Sequence, residues 1–467
     1  MSESTPQPKQ RKEGEIGWLE KVGYAGGDFG SCLYFGIFMS FLAYFYTDVF
    51  GISAAVVGTM IFVTRTWDWI NDPIMGMIAD RTKSKHGKFR PWLLWVLPFW
   101  MILGVLTFTT FDLSLNGKII YAYVTYTLLT MAYTAINVPY SALMGVMTAR
   151  SDQRTVLSSI RFMGAFAGTS VVNATMLGLV AFLGQGNEQR GFMLTVMVYA
   201  ILSASAFIFT FMTAKERVEA PKNQETSIFK DLGAAVQNIP WIVLMFISIM
   251  TIMWIAIRGG ATIHYFKYVV GSEHWGSLFL TIGTVVQIFG VMMTRQFTVW
   301  FGGKKRAYII LNLINAGFLV LFYFIPVNNV PLIMIHSGVS AFMTAPLMPL
   351  FWSMIADTAD YGQWKFGQRT TGLIFSTGTF SMKIGWSIGP AISLWLLSYF
   401  GFVANEDQSA ETIQGLRYIM SFIPACVAVL AAGVVLFYGI NAKTEKEMQA
   451  AILEEEEAMN REREENE

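Results

Sequence analysis

The chain has 467 residues, of which 54% are hydrophobic and only 14% charged, with a formal net charge of +1. A soluble domain carries roughly 25% charged residues, so most of this surface belongs in a bilayer. The same figures exclude a disordered chain and a nucleic-acid binder, and near-zero net charge implies no bulk electrostatic partner.

Residues 1–21 are polar, lack the apolar core of a signal peptide, and read as a cytoplasmic tail. A hydrocarbon core of ~30 Å takes about 20 apolar residues per helix. Stretches that meet this need run over 22–48, 54–80, 92–112, 118–145, 155–184, 192–213, 239–268, 273–301, 307–326, 330–357, 371–400 and 412–440. The polar stretch 214–238 is the one long loop between them. It divides the chain into a bundle at 22–213, a linker at 214–238 and a bundle at 239–441, with an acidic cytoplasmic tail at 442–467. Gln153–Arg154–Thr155 and Gln368–Arg369–Thr370 mark a weak internal repeat. The expected fold is an all-α membrane protein with twelve transmembrane helices in two pseudo-symmetric six-helix bundles. Parallel repeats of this kind hold a site near the midplane between them.

Lysine and arginine set the expected orientation. One set of loops carries Lys9, Arg11, Lys12 and Lys21, the run Arg81 to Arg90, Arg150 and Arg154, Lys215 to Lys230, Lys304 to Arg306, and Lys365 with Arg369. The other set carries only Lys118, Arg190, Lys267 and Arg417. The first set, with both termini, is expected in the cytoplasm.

Charges at bilayer depth are costly and mark sites by default. On the first span stands Gly26-Gly27-Asp28-Phe29-Gly30-Ser31-Cys32, with Asp28 and Cys32 on one face. Asp28 and Cys32 are candidate sugar-binding residues; Asp28 is near the cytoplasmic end, so pairing with a loop arginine is the alternative for it. The second span reads Arg65-Thr66-Trp67-Asp68-Trp69-Ile70-Asn71-Asp72-Pro73. Asp68 and Asp72, four apart, share a helical face that Asn71 borders. Two such carboxylates repel unless a cation or a proton lies between them. Hard cations take oxygen ligands, so Asp68, Asp72 and Asn71 suit Na⁺. Structural pairing with Arg65 or Arg161 is the alternative. Pro73 releases the carbonyl of Trp69 from its helical bond.

The fourth span aligns Thr134, Asn137 and Ser141 as a polar stripe among aromatics. That suits a sugar, although interhelical hydrogen bonding also explains it. Arg161, Arg258 and Lys383 are cations at depth on the fifth, seventh and eleventh spans. They suit sugar hydroxyls or a uronate, or they are counter-ions for the carboxylates. The eighth span has Gln287 and no acid, so the carboxylate pair belongs to the first bundle. His86, His264, His274 and His336 are scattered and no nucleophile–base spacing occurs, so neither an enzyme nor a resident cofactor is expected.

The stretches TRTWDWINDPIMGMIADRTKSKHGKFRPW, YTAINVPYSALMG, QRTVLSSIRF and IADTADYGQWKFGQR resemble the glycoside–pentoside–hexuronide:cation symporters, to which the melibiose carrier belongs. The resemblance runs from Gly23 to about Tyr438. It implies a major facilitator fold and cation-coupled sugar uptake by alternating access, driven by Na⁺, Li⁺ or H⁺ across a bacterial inner membrane. It carries the cation site onto Asp68, Asn71, Asp72 and Thr134, and sugar roles onto Arg161 and Lys383. Where melibiose-type members have acids, this chain has Cys32 and Asn137, and Ser141 stands where they have a tryptophan. Melibiose is therefore not the expected cargo. DLSLNGKIIYAYVTYTLLT and AKERVEAP look more like a xyloside-type branch, which implies a pentoside or short oligosaccharide. A monomer is expected. Two other readings stand beside this one: a lysophospholipid-type lipid carrier of the same fold, and a proton-driven exporter. The loop from Asp80 to Arg90 is expected to clamp the cytoplasmic ends in one state.

Overall fold

The computed structural model describes residues 16–148, 151–217, 237–366, 371–448, 450–451 and 454. Gln368–Arg369–Thr370, Arg150 and most of the linker and both tails lie outside the described residues. Among those described, twelve helical runs follow one another up to Val435, and a further helical stretch covers 442–448. They are α1 (Trp18–Ser40, continued by Leu42–Tyr44 and a π-helical turn at Phe45–Val49), α2 (Ala54–Arg81), α3 (Trp92–Trp95 with Leu97–Thr107) and α4 (Leu115–Met147). Next come α5 (Ser151–Gly184), α6 (Glu188–Thr213), α7 (Ile239–Tyr265 with a π-helical turn at Phe266–Val270) and α8 (Glu273–Met292, then Thr294–Trp300). The last are α9 (Lys304–Phe324), α10 (Val330–Thr344 with Leu347–Phe366), α11 (Thr371–Tyr399) and α12 (Ala410–Met420 with Phe422–Val435).

Among the described residues eight runs, α4 to α10 and α12, are long and apolar enough to cross a membrane, and α1, bent by 55°, is a ninth. The other three explain themselves. Helix α3 ends at Thr107 rather than 112. Helices α2 and α11 dilute their apolar residues with Asp68, Asp72 and Lys383 and with serines and threonines. Helices α2 and α11, neither of them apolar enough to count as a span, are the pair that meets at the site. Several starts are fixed locally: Asn187, Asn238, Asn329 and Ser409 each accept a backbone N–H from the following turn of α6, α7, α10 and α12, satisfying a donor that a helix start leaves free.

The packing repeats between halves. Helix α1 packs on α5 and α6, and α7 on α11 and α12; α2 packs on α4, and α8 on α10. The halves join symmetrically through α2 with α11 and α5 with α8. Both halves use the same device. Helix α5 carries Gly164 and Gly168, and α11 carries Gly385 and Gly389, each pair four apart. A Cβ at Gly164 would stand 2.4 Å from the carbonyl oxygen of Ala25 in α1, and one at Gly389 would stand 3.0 Å from that of Met253 in α7. Small residues at this spacing let helix backbones touch.

Helix α1 runs from the lysine-rich end of the molecule to the opposite, distal end. At the lysine-rich end the loop expected to act as a clamp is tied in this structure to its own bundle. The backbone amides of Lys88, Phe89 and Arg90 donate to Glu216 at 2.8, 2.8 and 2.9 Å, and Lys88 pairs with Asp80 at 2.9 Å. Arg90 also donates to the carbonyl of Phe211 at 2.6 Å. These contacts staple the loop to the end of α6 in its own bundle. Beside them Arg217 grips Glu20 through both Nη atoms, at 2.6 and 2.8 Å.

Candidate functional site

Three groups of polar side chains sit within the helices. The first centres on α2. Asp72 accepts a hydrogen bond from Thr134 of α4 at 2.9 Å. Its other oxygen is in contact with the ammonium of Lys383, which reaches across from α11 in the second bundle. Asp68, one turn earlier, has Oδ1 buried with no hydrogen-bond partner among the described residues, and so does Nδ2 of Asn71. Arg65 makes no ion pair with Asp68 among the described residues. Its Nε donates to Tyr126 at 3.0 Å and its guanidinium lies over the ring of Phe38, 5.6 Å from the centroid. The structure thus brings Asp68, Asn71, Asp72, Thr134 and Lys383 together. The spare oxygen of Asp68 beside a carboxylate and a hydroxyl is a donor set of hard oxygens, and it fits a small cation.

The second group ties α1 to α4 and α5. Asp28 pairs with Nε of Arg161, whose Nη2 donates to Ser141 at 3.0 Å. The Arg161 guanidinium also stacks 5.0 Å from the ring centroid of Tyr140, and the Tyr140 hydroxyl accepts from the Asp28 amide at 3.1 Å. This corrects two expectations. Asp28 pairs with an arginine of α5 rather than one of a loop, and Arg161 serves Asp28 rather than Asp68 or Asp72. The reason is packing: the glycines of α1 and α5 bring those two helices together and leave α2 on the far side of α4. Ser31, one turn past Asp28 and not singled out from sequence, donates to Asn137 at 2.5 Å. Asn137 turns its amide back to the carbonyl of Tyr133 at 3.0 Å. Cys32 is a free thiol, packed so that a Cβ on Gly168 would meet its own Cβ at 3.2 Å.

Arg258 stands apart. It lies in the second bundle, its guanidinium 5.1 and 5.0 Å from the ring centroids of Phe279 and Phe322. It borders a cavity of about 230 Å³ that also touches Gln287, Trp254 and Trp386.

One further cluster escaped the sequence reading. At the distal end Asp48, fully buried at the close of α1, meets Lys267 of α7 at 2.8 Å and His264 at 3.3 Å. Tyr268 donates to the same carboxylate, Asn405 donates to the Asp48 carbonyl at 2.7 Å, and Thr47 lies 2.8 Å from His264. Every one of these contacts crosses between the bundles. The only signal in sequence is a lone acid at the end of an aromatic run. Lys267 reads there as an ordinary loop charge.

The family described as MFS/sugar transport protein matches residues 23–442. The chain is similar to the inner membrane symporter YicJ of Escherichia coli, 38% identical over 88% of this chain and 90% of that one. It is also similar to the isoprimeverose transporter of Lactiplantibacillus pentosus, 33% identical over 94% and 91%. Among solved structures, the nucleoside transporter NupG aligns with a TM-score of 0.63 over 91% of this chain and 100% of that one, at 14% identity. The inward-open xylose transporter XylE of E. coli aligns with a TM-score of 0.60 over 93% and 98%, also at 14% identity. At such identity these two show the fold alone.

Proposed function

The chain belongs to the MFS/sugar transport protein family, among the glycoside–pentoside–hexuronide:cation symporters, and on that premise we propose that Na⁺ is its coupling ion and a pentoside or short oligosaccharide its cargo. It is a multi-pass inner-membrane transporter, not an enzyme. The observation that carries the reading is Asp72 held between Thr134 of its own bundle and Lys383 of the other. Na⁺ takes oxygens from Asp68, Asn71, Asp72 and Thr134. To do so it competes with the Lys383 ammonium for Asp72. Lys383, released, turns to sugar hydroxyls, and the Asp28–Arg161–Ser141 chain with Asn137 and Cys32 supplies the opposite wall. Cation and sugar therefore favour one another, and by linkage each raises the affinity of the other by the same factor.

The lysine-rich end, with both termini, is cytoplasmic by the positive-inside rule, and the distal end is periplasmic. The Asp48 cluster then shuts the periplasmic side, and loading from outside requires it to part. One groove favours the lipid-carrier alternative: about 510 Å³ between α8 and α10, lined by apolar side chains such as Ile282, Val286 and Phe342. It holds none of the charged residues above.

The test is uptake of labelled pentosides, glycosides and uronides into energised vesicles under an imposed Na⁺ or pH gradient. Uptake driven by Na⁺ and lost in Asp68→Asn and Asp72→Asn supports the reading. Uptake driven only by the pH gradient makes the carboxylates proton carriers. Uptake of no sugar, with lysophospholipid moved instead, overturns it in favour of the lipid carrier.

A further inference from the structure

Three cations at bilayer depth have an acid of their own: Arg161 has Asp28, Lys383 has Asp72 and Lys267 has Asp48. Arg65 bonds to Tyr126 and has Asp68 one turn away. Arg258 of α7 differs. Among the described residues it has no carboxylate partner, and its Nε and Nη2 are buried without an acceptor. The rings of Phe279 and Phe322, with centroids 5.1 and 5.0 Å away, soften its charge. A ring face is a weak acceptor, so those N–H groups stay unsatisfied. A guanidinium keeps its proton in a protein. A buried charge with no partner is costly.

A second donor stands beside it. Trp254 is four residues earlier on α7, one turn away on the same face. It is 6% exposed, and its indole N–H is also buried without an acceptor among the described residues. Both residues line the same cavity of about 230 Å³, together with Gln287 of α8 and Ser340 of α10. Among the described residues that line it, Arg258 is the one charged side chain and no acid is present. The wall thus offers one positive charge and surplus donors from three helices. Its complement is a single negative charge that accepts from several directions.

We propose that this cavity is a site for a small monovalent anion, and that chloride occupies it as the counter-ion of Arg258. One guanidinium, with no second cation in the lining, sets the charge at minus one. Donors spread over three helices suit a spherical ion better than the planar fork that a carboxylate matches. The volume leaves room for the ion and several waters, each of which takes about 30 Å³ in the liquid. The ion is a resident of the second bundle and not the cargo, so its site exists whichever sugar is carried.

The experiment is chlorine NMR of the purified full-length protein, titrated with sodium chloride. Exchange of chloride with a protein site broadens its line. The expected result is a broadening that saturates with chloride, is lost in Arg258→Gln and weakens several-fold in Trp254→Phe, which keeps a ring and loses the N–H. Bromide should displace the bound chloride, whereas sulfate and methyl β-D-xyloside should not. Absence of saturable broadening in the unaltered protein overturns the proposal. So does broadening that survives intact in Arg258→Gln, which places chloride elsewhere. If Arg258→Gln does not fold, Trp254→Phe decides, and binding unchanged in it overturns the proposal. Displacement by the xyloside also overturns it and gives the cavity to the sugar.

Discussion

Single side chains divide sharply between those whose partners are near in sequence and those whose partners are remote. Asp68, Asn71 and Asp72 are legible because one helix carries all of them and a spacing of four fixes their common face. Thr134 and Lys383 complete the cluster from helices that only the packing brings near. If Thr134 holds a charged acceptor, Thr134→Val removes a hydrogen bond worth about 1.5–3 kcal/mol. Na⁺ affinity should then weaken roughly tenfold or more, read as the Na⁺ concentration for half-maximal uptake, and the unfolding temperature should fall with it. The Asp28–Arg161 pair spans 133 residues, and nothing in the local pattern of either residue names the other. Arg161→Leu leaves a buried carboxylate uncompensated, a change that costs about 3–5 kcal/mol. Thermal unfolding should show that loss, and Arg161→Leu with Asp28→Asn should recover much of it. No recovery would mean that Arg161 stabilises through Tyr140 and Ser141 instead.

At the level of helices, apolar length located nearly every span, and the exceptions follow from function. Helices α2 and α11 are poor membrane spans by composition, and they pack on each other with Asp72 and Lys383 meeting between them. The Gln-Arg-Thr triplets mark the repeat in sequence, and the second of them lies outside the described residues. The repeat that the packing uses is the glycine pair of α5 and α11, whose meaning depends on the backbone across from it. Gly164→Val would drive a side chain into the carbonyl of Ala25, 2.4 Å from its Cβ. Such overpacking costs typically 1–3 kcal/mol. The expected outcome is a lower unfolding temperature for Gly164→Val than for a control substitution at Gly178, where a Cβ meets nothing within 4 Å. Equal losses would show that α1 and α5 tolerate separation.

For the molecule as a whole, two six-helix bundles and their order were legible from hydropathy and the long polar linker. The closure between them was not, because it joins Asp48 to residues more than two hundred positions away. Removing one member of a buried charge pair costs about 2–5 kcal/mol, so Asp48→Asn should favour the state in which the distal ends part. Spin labels at Ser53→Cys and Asp407→Cys, in a chain with Cys32→Ser and Cys426→Ser, report the separation of the two distal loops. The distance distribution should lengthen in Asp48→Asn. An unchanged distribution would show that the apolar contacts around Phe402 close this end unaided.

The proposed transport cycle couples one cation, held by Asp68 and Asp72, to sugar. Binding of radiolabelled Na⁺ to the purified protein, with and without a transported glycoside, tests it most directly. The sugar should raise Na⁺ affinity by the same factor as Na⁺ raises sugar affinity, and both effects should vanish in Asp72→Asn. Na⁺ binding that ignores every sugar, or that persists unchanged in Asp68→Asn and Asp72→Asn, would contradict it.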